Sequence, residues 1–229
     1  MIHALTPIEG DKSKMIDLLD QLTQEVLGYW AVKKTKRFLQ NPPKYEAYKK
    51  YQAVEKNWFA NAYAKQNEQL LQEAYQLDTN FYAPLLKLAI LYDNPGILRS
   101  GSKKDSVLTY IKSKNPPLTK WEKLRLAFIQ ESNNLKRAQI SEQMYQMDAS
   151  DDAANFNAAL NYLFANRPQK TVGLLESFVY HFPLIKSDYS MKKAWLSHAY
   201  LSLGNYNKVI EIAESYSFPK MLEGIAKNH

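Results

Sequence analysis

Apolar residues return at helical spacing almost everywhere along this chain, and no run of β-branched residues alternates with polar ones between turn signals as a strand would. A chain patterned this way can bury its apolar faces only by packing helix against helix, so the fold class is all-α. Residues that end helices interrupt the pattern: Pro7–Gly10, Asn41-Pro42-Pro43, Asn94-Pro95-Gly96, Ser100-Gly101-Ser102, Asn115-Pro116-Pro117, Arg167-Pro168, Pro183 and Gly204-Asn205. The breaks predict helices over 12–36, 44–60, 64–77, 81–93, 103–113, 119–132, 135–147, 152–165, 168–181, 188–203 and 206–216, with a short tail helix from 219. Thr119-Lys120-Trp121-Glu122 is a capping box, in which hydroxyl and carboxylate satisfy first-turn amides ahead of the apolar run from Leu124. Links this short make neighbouring helices antiparallel.

The hairpins repeat. Ala194-Trp195-Leu196-Ser197-His198-Ala199-Tyr200-Leu201-Ser202-Leu203-Gly204-Asn205-Tyr206 contains a small and an aromatic position followed by a glycine turn, with Pro219 beyond. Earlier in the chain Ala158-Ala159 and Tyr162 take the same positions, Asn166-Arg167-Pro168 replaces the glycine turn, and Phe178 and Pro183 follow. Trp121, Leu124, Phe128, Ala138 and Tyr145-Gln146-Met147-Asp148 make a further unit, and Ala74-Tyr75-Gln76-Leu77-Asp78-Thr79-Asn80-Phe81-Tyr82-Ala83 spans the junction of two more. Small residues such as Ala89, Ala159 and Ala199 let two helices approach closely, while Tyr92, Tyr162 and Tyr200 fill the space beside them. A single hairpin cannot bury its own apolar face, so several must stack. The period of about 33–38 residues and these motifs resemble the tetratricopeptide (TPR) family. That resemblance implies a right-handed α-solenoid of antiparallel helical hairpins with degenerate repeats, over 43–229 as one continuous domain, preceded by a lead-in helix and linker over 1–42.

The N-terminal stretch extends the resemblance. Ile8-Glu9-Gly10-Asp11, the helix from Met15 to Gly28, and Pro43-Lys44-Tyr45-Glu46-Ala47-Tyr48 look like the lead-in of TPR regions downstream of bacterial signalling domains. Such regions follow a serine/threonine kinase, a cyclase or a DNA-binding regulator, which implies a C-terminal portion of a larger regulatory protein. The chain departs from the family at 99–114 and at several glycine turns.

Chemistry is hard to find in these residues. The absence of cysteine removes disulfides, thiolate metal sites and a cysteine nucleophile, and leaves both reducing and oxidising compartments open. The start of the chain lacks the basic and apolar segments of a signal peptide, and Lys87 breaks the longest apolar stretch, Leu85 to Tyr92, so a soluble chain is expected. The cytoplasm is the first expectation for location, with the periplasm as the alternative if a membrane helix precedes the domain in a longer protein. His3, His181, His198 and His229 lie without paired-ligand spacing. Ser100-Gly101-Ser102-Lys103 and Ser190-Met191-Lys192-Lys193 match a serine-x-x-lysine pattern without its companion motifs, and Asp151-Asp152 suits a helix start. No enzyme, cofactor or metal is expected.

What remains is a binding surface. The resemblance implies that the first helix of each hairpin lines a concave groove, which would expose Glu122, Leu126 and Ile129, then Phe156, Leu160, Leu163 and Phe164, then His198 to a peptide or partner helix. The nearly all-apolar helix 153–165 is either buried on every side or a partner-binding surface. Charge offers an alternative. The net charge is +7, and between Ala31 and Lys56 eight basic residues face two acidic ones. Lys33, Lys34, Lys36, Arg37, Lys49 and Lys50 would form a patch for nucleic acid or an anionic surface. The bland readings are a solvated lysine-rich face and, for Tyr45, Tyr48 and Tyr51 at three-residue spacing, a core stripe. Nucleic acid is the disfavoured partner. A protein or peptide is favoured, with self-association as a further alternative.

Overall fold

A computed structural model describes residues 8–33, 37–38, 41–58, 64–94, 100–177 and 186–215. Among these residues the chain is helical, with no strand: a 3-10 turn at Lys12–Lys14, then α1 Met15–Val32, α2 Tyr45–Asn57, α3 Ala64–Leu77, α4 Ala83–Asp93, α5 Gly101–Lys114, α6 Lys120–Gln130, α7 Asn134–Met147, α8 Asp152–Phe164, α9 Pro168–Ser177, α10 Lys186–Ser202 and α11 Tyr206–Glu214. The all-α expectation holds. The tail helix expected from 219 falls outside the described residues.

Local chemistry places the helix ends. Side chains of Ser100, Asn133, Asp151 and Asn205 accept hydrogen bonds from the amides of Lys103, Lys136, Ala154 and Lys208, capping α5, α7, α8 and α11. At α6 the capping box forms as expected, with Thr119 N donating to Glu122 Oε2 at 2.9 Å and Glu122 N donating to Thr119 Oγ1 at 3.3 Å. The α8–α9 and α10–α11 turns are built alike. Asn166 and Gly204 both take left-handed backbone (φ 55° and 68°), and Arg167 N and Asn205 N each donate back at 2.9 Å, to Tyr162 O and Tyr200 O. Asparagine tolerates that conformation better than other side-chain-bearing residues, which is why it can stand where a glycine would. The α3–α4 and α7–α8 junctions also match: Asp78 Oδ1 accepts from Asn80 N and Asp148 Oδ1 from Ser150 N, both at 3.0 Å.

The chain forms two compact units, Met1–Ile129 and Gln130–His229. The boundary expected after residue 42 lies inside the first unit, where α1 packs on α2. In that unit each of α1 to α4 packs on the next helix in sequence, through α5. Phe38 sits at its centre, edge-to-face with Tyr48, Tyr51, Phe81 and Trp121 at centroid distances of 5.1–6.2 Å. Tyr48 and Tyr51 are buried and Tyr45 is half-buried, so two of the three stripe tyrosines are core.

In the second unit α7, α8, α9, α10 and α11 likewise pack in sequence order. Fully buried Ala159 lies in a cluster with Phe156 and Leu175, against which Met191, Trp195 and Leu196 of α10 pack. Thr171 Oγ1 donates to Ala159 O at 2.9 Å, tying α9 to α8 at a fully buried small residue. Tyr200 and Val209 seed a second cluster between α9, α10 and α11.

Candidate functional site

Phe156, Leu160 and Phe164 occur at i, i+4 and i+8 on α8 and so form one stripe. Along it exposure climbs: Phe156 is 7% exposed, Leu160 is half-buried, and Phe164 is 56% exposed. At the exposed end the Phe164 ring meets Trp195 of α10 edge-on, at a centroid distance of 5.7 Å and an interplanar angle of 89°. Trp195 in turn lies 5.5 Å from the His198 ring. Three aromatic rings from α8 and α10 therefore make a shelf. Its inner edge is anchored in the Phe156 cluster, and Phe164 and His198 are exposed on its outer side. The rings are rigid and apolar, and the imidazole adds a hydrogen-bonding group. Such a surface can take an apolar or aromatic side chain by edge and face contact.

The other residues expected in a groove are placed differently. Leu163 is half-buried on α8. Phe156 is core and presents no open surface. Glu122, Leu126 and Ile129 belong to α6 of the first unit, where Glu122 and Ile129 are buried and Leu126 is half-buried. Burial pushes the Glu122 carboxyl up from its ordinary range, opposed by hydrogen bonds from the Thr119 amide and hydroxyl and from the amides of Ala83 and Tyr82 at the start of α4. Its role is to join two helix starts, so it does not line an open groove.

The basic segment also divides. Arg37 is buried, 3.4 Å from Glu55, whose other carboxylate oxygen pairs with buried Lys87. The Arg37 guanidinium also faces the Trp121 ring at 5.4 Å. It is therefore no part of an exposed patch, because burial commits its charge to Glu55 and the Trp121 face. Lys49 pairs with Glu46 at 3.1 Å and Lys50 with Glu73 at 2.6 Å, while Lys33 lies exposed over Trp30 at 4.6 Å. Lys34 and Lys36 fall outside the described residues.

Among the described residues no group of three or more His, Asp or Glu side chains is placed to hold a metal ion. Ser100 of the serine-x-x-lysine match is the cap of α5. In the first unit an open cleft of about 300 Å³ is lined by Glu68, Tyr92, Lys103 and Ser106, among others. There Glu68 Oε1 accepts from Tyr92 Oη at 2.6 Å and from Lys103 Nζ at 2.9 Å. Those hydrogen bonds, the lysine's foremost, hold the Glu68 carboxyl below its ordinary range. The cleft's charges satisfy one another.

Trp195 is the shelf residue that the groove expectation left out. Its signal was present in the helical spacing of Met191, Trp195 and His198, which puts all three on one face of α10. Comparison of the chain with family models, with curated proteins and with solved structures finds no match.

Proposed function

We propose that this chain is a non-catalytic protein-interaction module built of TPR-type helical hairpins. On this reading it belongs to a larger bacterial signalling or regulatory protein and captures an apolar peptide or partner helix on the Phe164–Trp195–His198 shelf. The observation that carries the reading is the exposed Phe164, 56% open to solvent yet held edge-on to Trp195. Large apolar side chains fixed in one orientation at a surface lose little entropy when a partner covers them. Hairpin spacing supports the repeat assignment: α2, α4, α6, α8 and α10 begin at intervals of 38, 37, 32 and 34 residues. The recurring turns at Asp78 and Asp148, and at Asn166 and Gly204, support it as well.

The test is selection of displayed random peptides on the whole chain, followed by affinity measurement on wild type and Phe164→Glu. Peptides with an apolar or aromatic anchor are expected to emerge and to bind the variant at least ~10-fold more weakly, a loss of about 1.4 kcal/mol. Selected peptides that bind both proteins equally remove the shelf as the site.

A further inference from the structure

Helix α1 has 18 residues, of which only Gly28 and Val32 are buried. Its contact with the rest of the first unit runs along one side. A Cβ on Gly28 would lie 1.9 Å from Pro43 O, and Gln24 Oε1 accepts from Glu46 N at 3.0 Å. On another side Met15, Ile16, Leu19, Leu22, Leu27 and Trp30 are 40–82% exposed. At 100° per residue these six fall within an arc of about 140°, and Gln24 and Gly28 lie outside it. An exposed helix with a solvent-facing apolar stripe is marginal in water unless something covers it.

Area, symmetry and charge together favour a second copy as the cover. The exposed fractions of the six side chains amount to at most roughly 600 Å² per copy and about 1,200 Å² for a pair, which reaches the range of small specific interfaces. The stripe is nearly two-fold symmetric about Thr23. In an antiparallel pair centred there, Ile16 comes level with Trp30 and Leu19 with Leu27, as an isologous interface requires. A parallel pair would set Asp20, at the edge of the stripe, and Lys33, at its C-terminal end, each level with its own copy. The antiparallel pair sets them level with Val26 and Ser13 and removes that repulsion. Between Met15 and Val32 the helix carries three acids and no base, the opposite of a helix that lies on anionic lipid.

We propose that the chain forms a two-fold dimer by packing α1 against α1 of a second copy, antiparallel and centred on Thr23.

The experiment is sedimentation equilibrium of the full chain across the micromolar range, with Ile16→Glu/Leu19→Glu as the variant. Wild type is expected to sediment as a dimer, and the variant to lose half that mass while keeping its helical circular dichroism. Direction is read on wild-type background. The chain has no cysteine, so Ser13→Cys carries a single nitroxide, and pulsed electron resonance is expected to give about 30 Å of axial separation between labels, from 20 residues at 1.5 Å. A monomeric wild type overturns the proposal, and a monomer that co-sediments with phosphatidylcholine–phosphatidylserine vesicles replaces the second copy with a lipid surface. A dimer that persists in the variant overturns it too, as does a short Ser13 distance, which means a parallel pair. The wild-type mass and the Ser13 distance decide the matter even if the double variant misfolds.

Discussion

The hydroxyl of Tyr162 on α8 donates to Glu142 Oε2 on α7 at 2.6 Å. Tyr92 on α4 makes the same bond to Glu68 on α3, also at 2.6 Å, and Tyr200 on α10 makes it to Glu176 on α9. Three times, a tyrosine packed near a buried alanine reaches back to a glutamate on the preceding helix. The apolar ring fills the helix–helix gap and the charge-assisted bond fixes the register of the pair.

Tyr162→Phe is expected to lower stability by about 1 kcal/mol in urea unfolding, because the ring's packing survives and only the hydrogen bond is lost. The pH dependence has a definite sign. The Tyr162 and Tyr200 hydroxyls are both pushed up to about 12, first by their removal from water and then by the glutamate acceptors. An unfolded tyrosine ionises near ~10, so above that pH the unfolded chain releases protons that the fold retains. Stability is fully present below about pH 10 and falls as pH rises towards about 12. Tyr162→Phe/Tyr200→Phe should flatten that fall, and an unchanged slope in the double variant would contradict it.

Gly28→Ala sets two effects of opposite sign against each other. Alanine is the better helix former by ~1 kcal/mol. Its Cβ, however, meets the Pro43 carbonyl at 1.9 Å, and a backbone oxygen held by the chain cannot swing away as a side chain does. The clash is expected to win, with overpacking costing about 1–3 kcal/mol and α1 becoming the first segment cut in limited proteolysis.

Glu122 separates capping from charge. Glu122→Ala removes an acceptor shared by the amides of Thr119, Ala83 and Tyr82 and should cost about 2 kcal/mol. Glu122→Gln keeps one acceptor oxygen and removes the burial of a charge, but turns an NH2 donor towards amide donors, so it should cost less than Glu122→Ala. Burial raises this carboxyl, so the fold prefers it protonated, and its contribution to stability declines as pH rises from the ordinary carboxylate value upward. The glutamine variant should lose that decline. Unfolding midpoints measured on the acid side of neutrality decide the matter.

Phe156 and Phe164 are two turns apart on one stripe and should behave oppositely. Phe156→Ala is expected to cost about 3–5 kcal/mol, since its ring lies in the α8–α9–α10 core. Phe164→Glu should leave the thermal midpoint of the second unit nearly unchanged, because most of its ring is already in water. A large destabilisation by Phe164→Glu would mean that the shelf is a structural element.

Helix ends were legible in the sequence because their causes lie within four residues of chain. The α3 bounds match the expected 64–77, and the Thr119–Glu122 box and the Asp151 cap form where their side chains predict. Ala89, Ala159 and Ala199, read as close-approach positions, are all fully buried. Burial along a stripe was less legible. Arg37 reads as one basic residue among many until Glu55, 18 positions away, turns its charge inward.

By itself, then, the sequence determined that the chain is helical, where its capped helices begin to within two residues, and which small residues are buried, since periodicity, capping and turn chemistry are short-range. The expected helix 12–36, by contrast, is among the described residues helical only over Met15–Val32, after a 3-10 turn. Only tertiary structure decided which residues of an apolar face are core and which are surface. Phe156 and Phe164 are equivalent on the helix, and they differ because the cluster with α9 and α10 encloses one ring and leaves the other at its edge. For α1 the same reason applies in reverse, because six large apolar residues of its stripe stay 40–82% exposed, and only packing against another surface decides whether such a face is core.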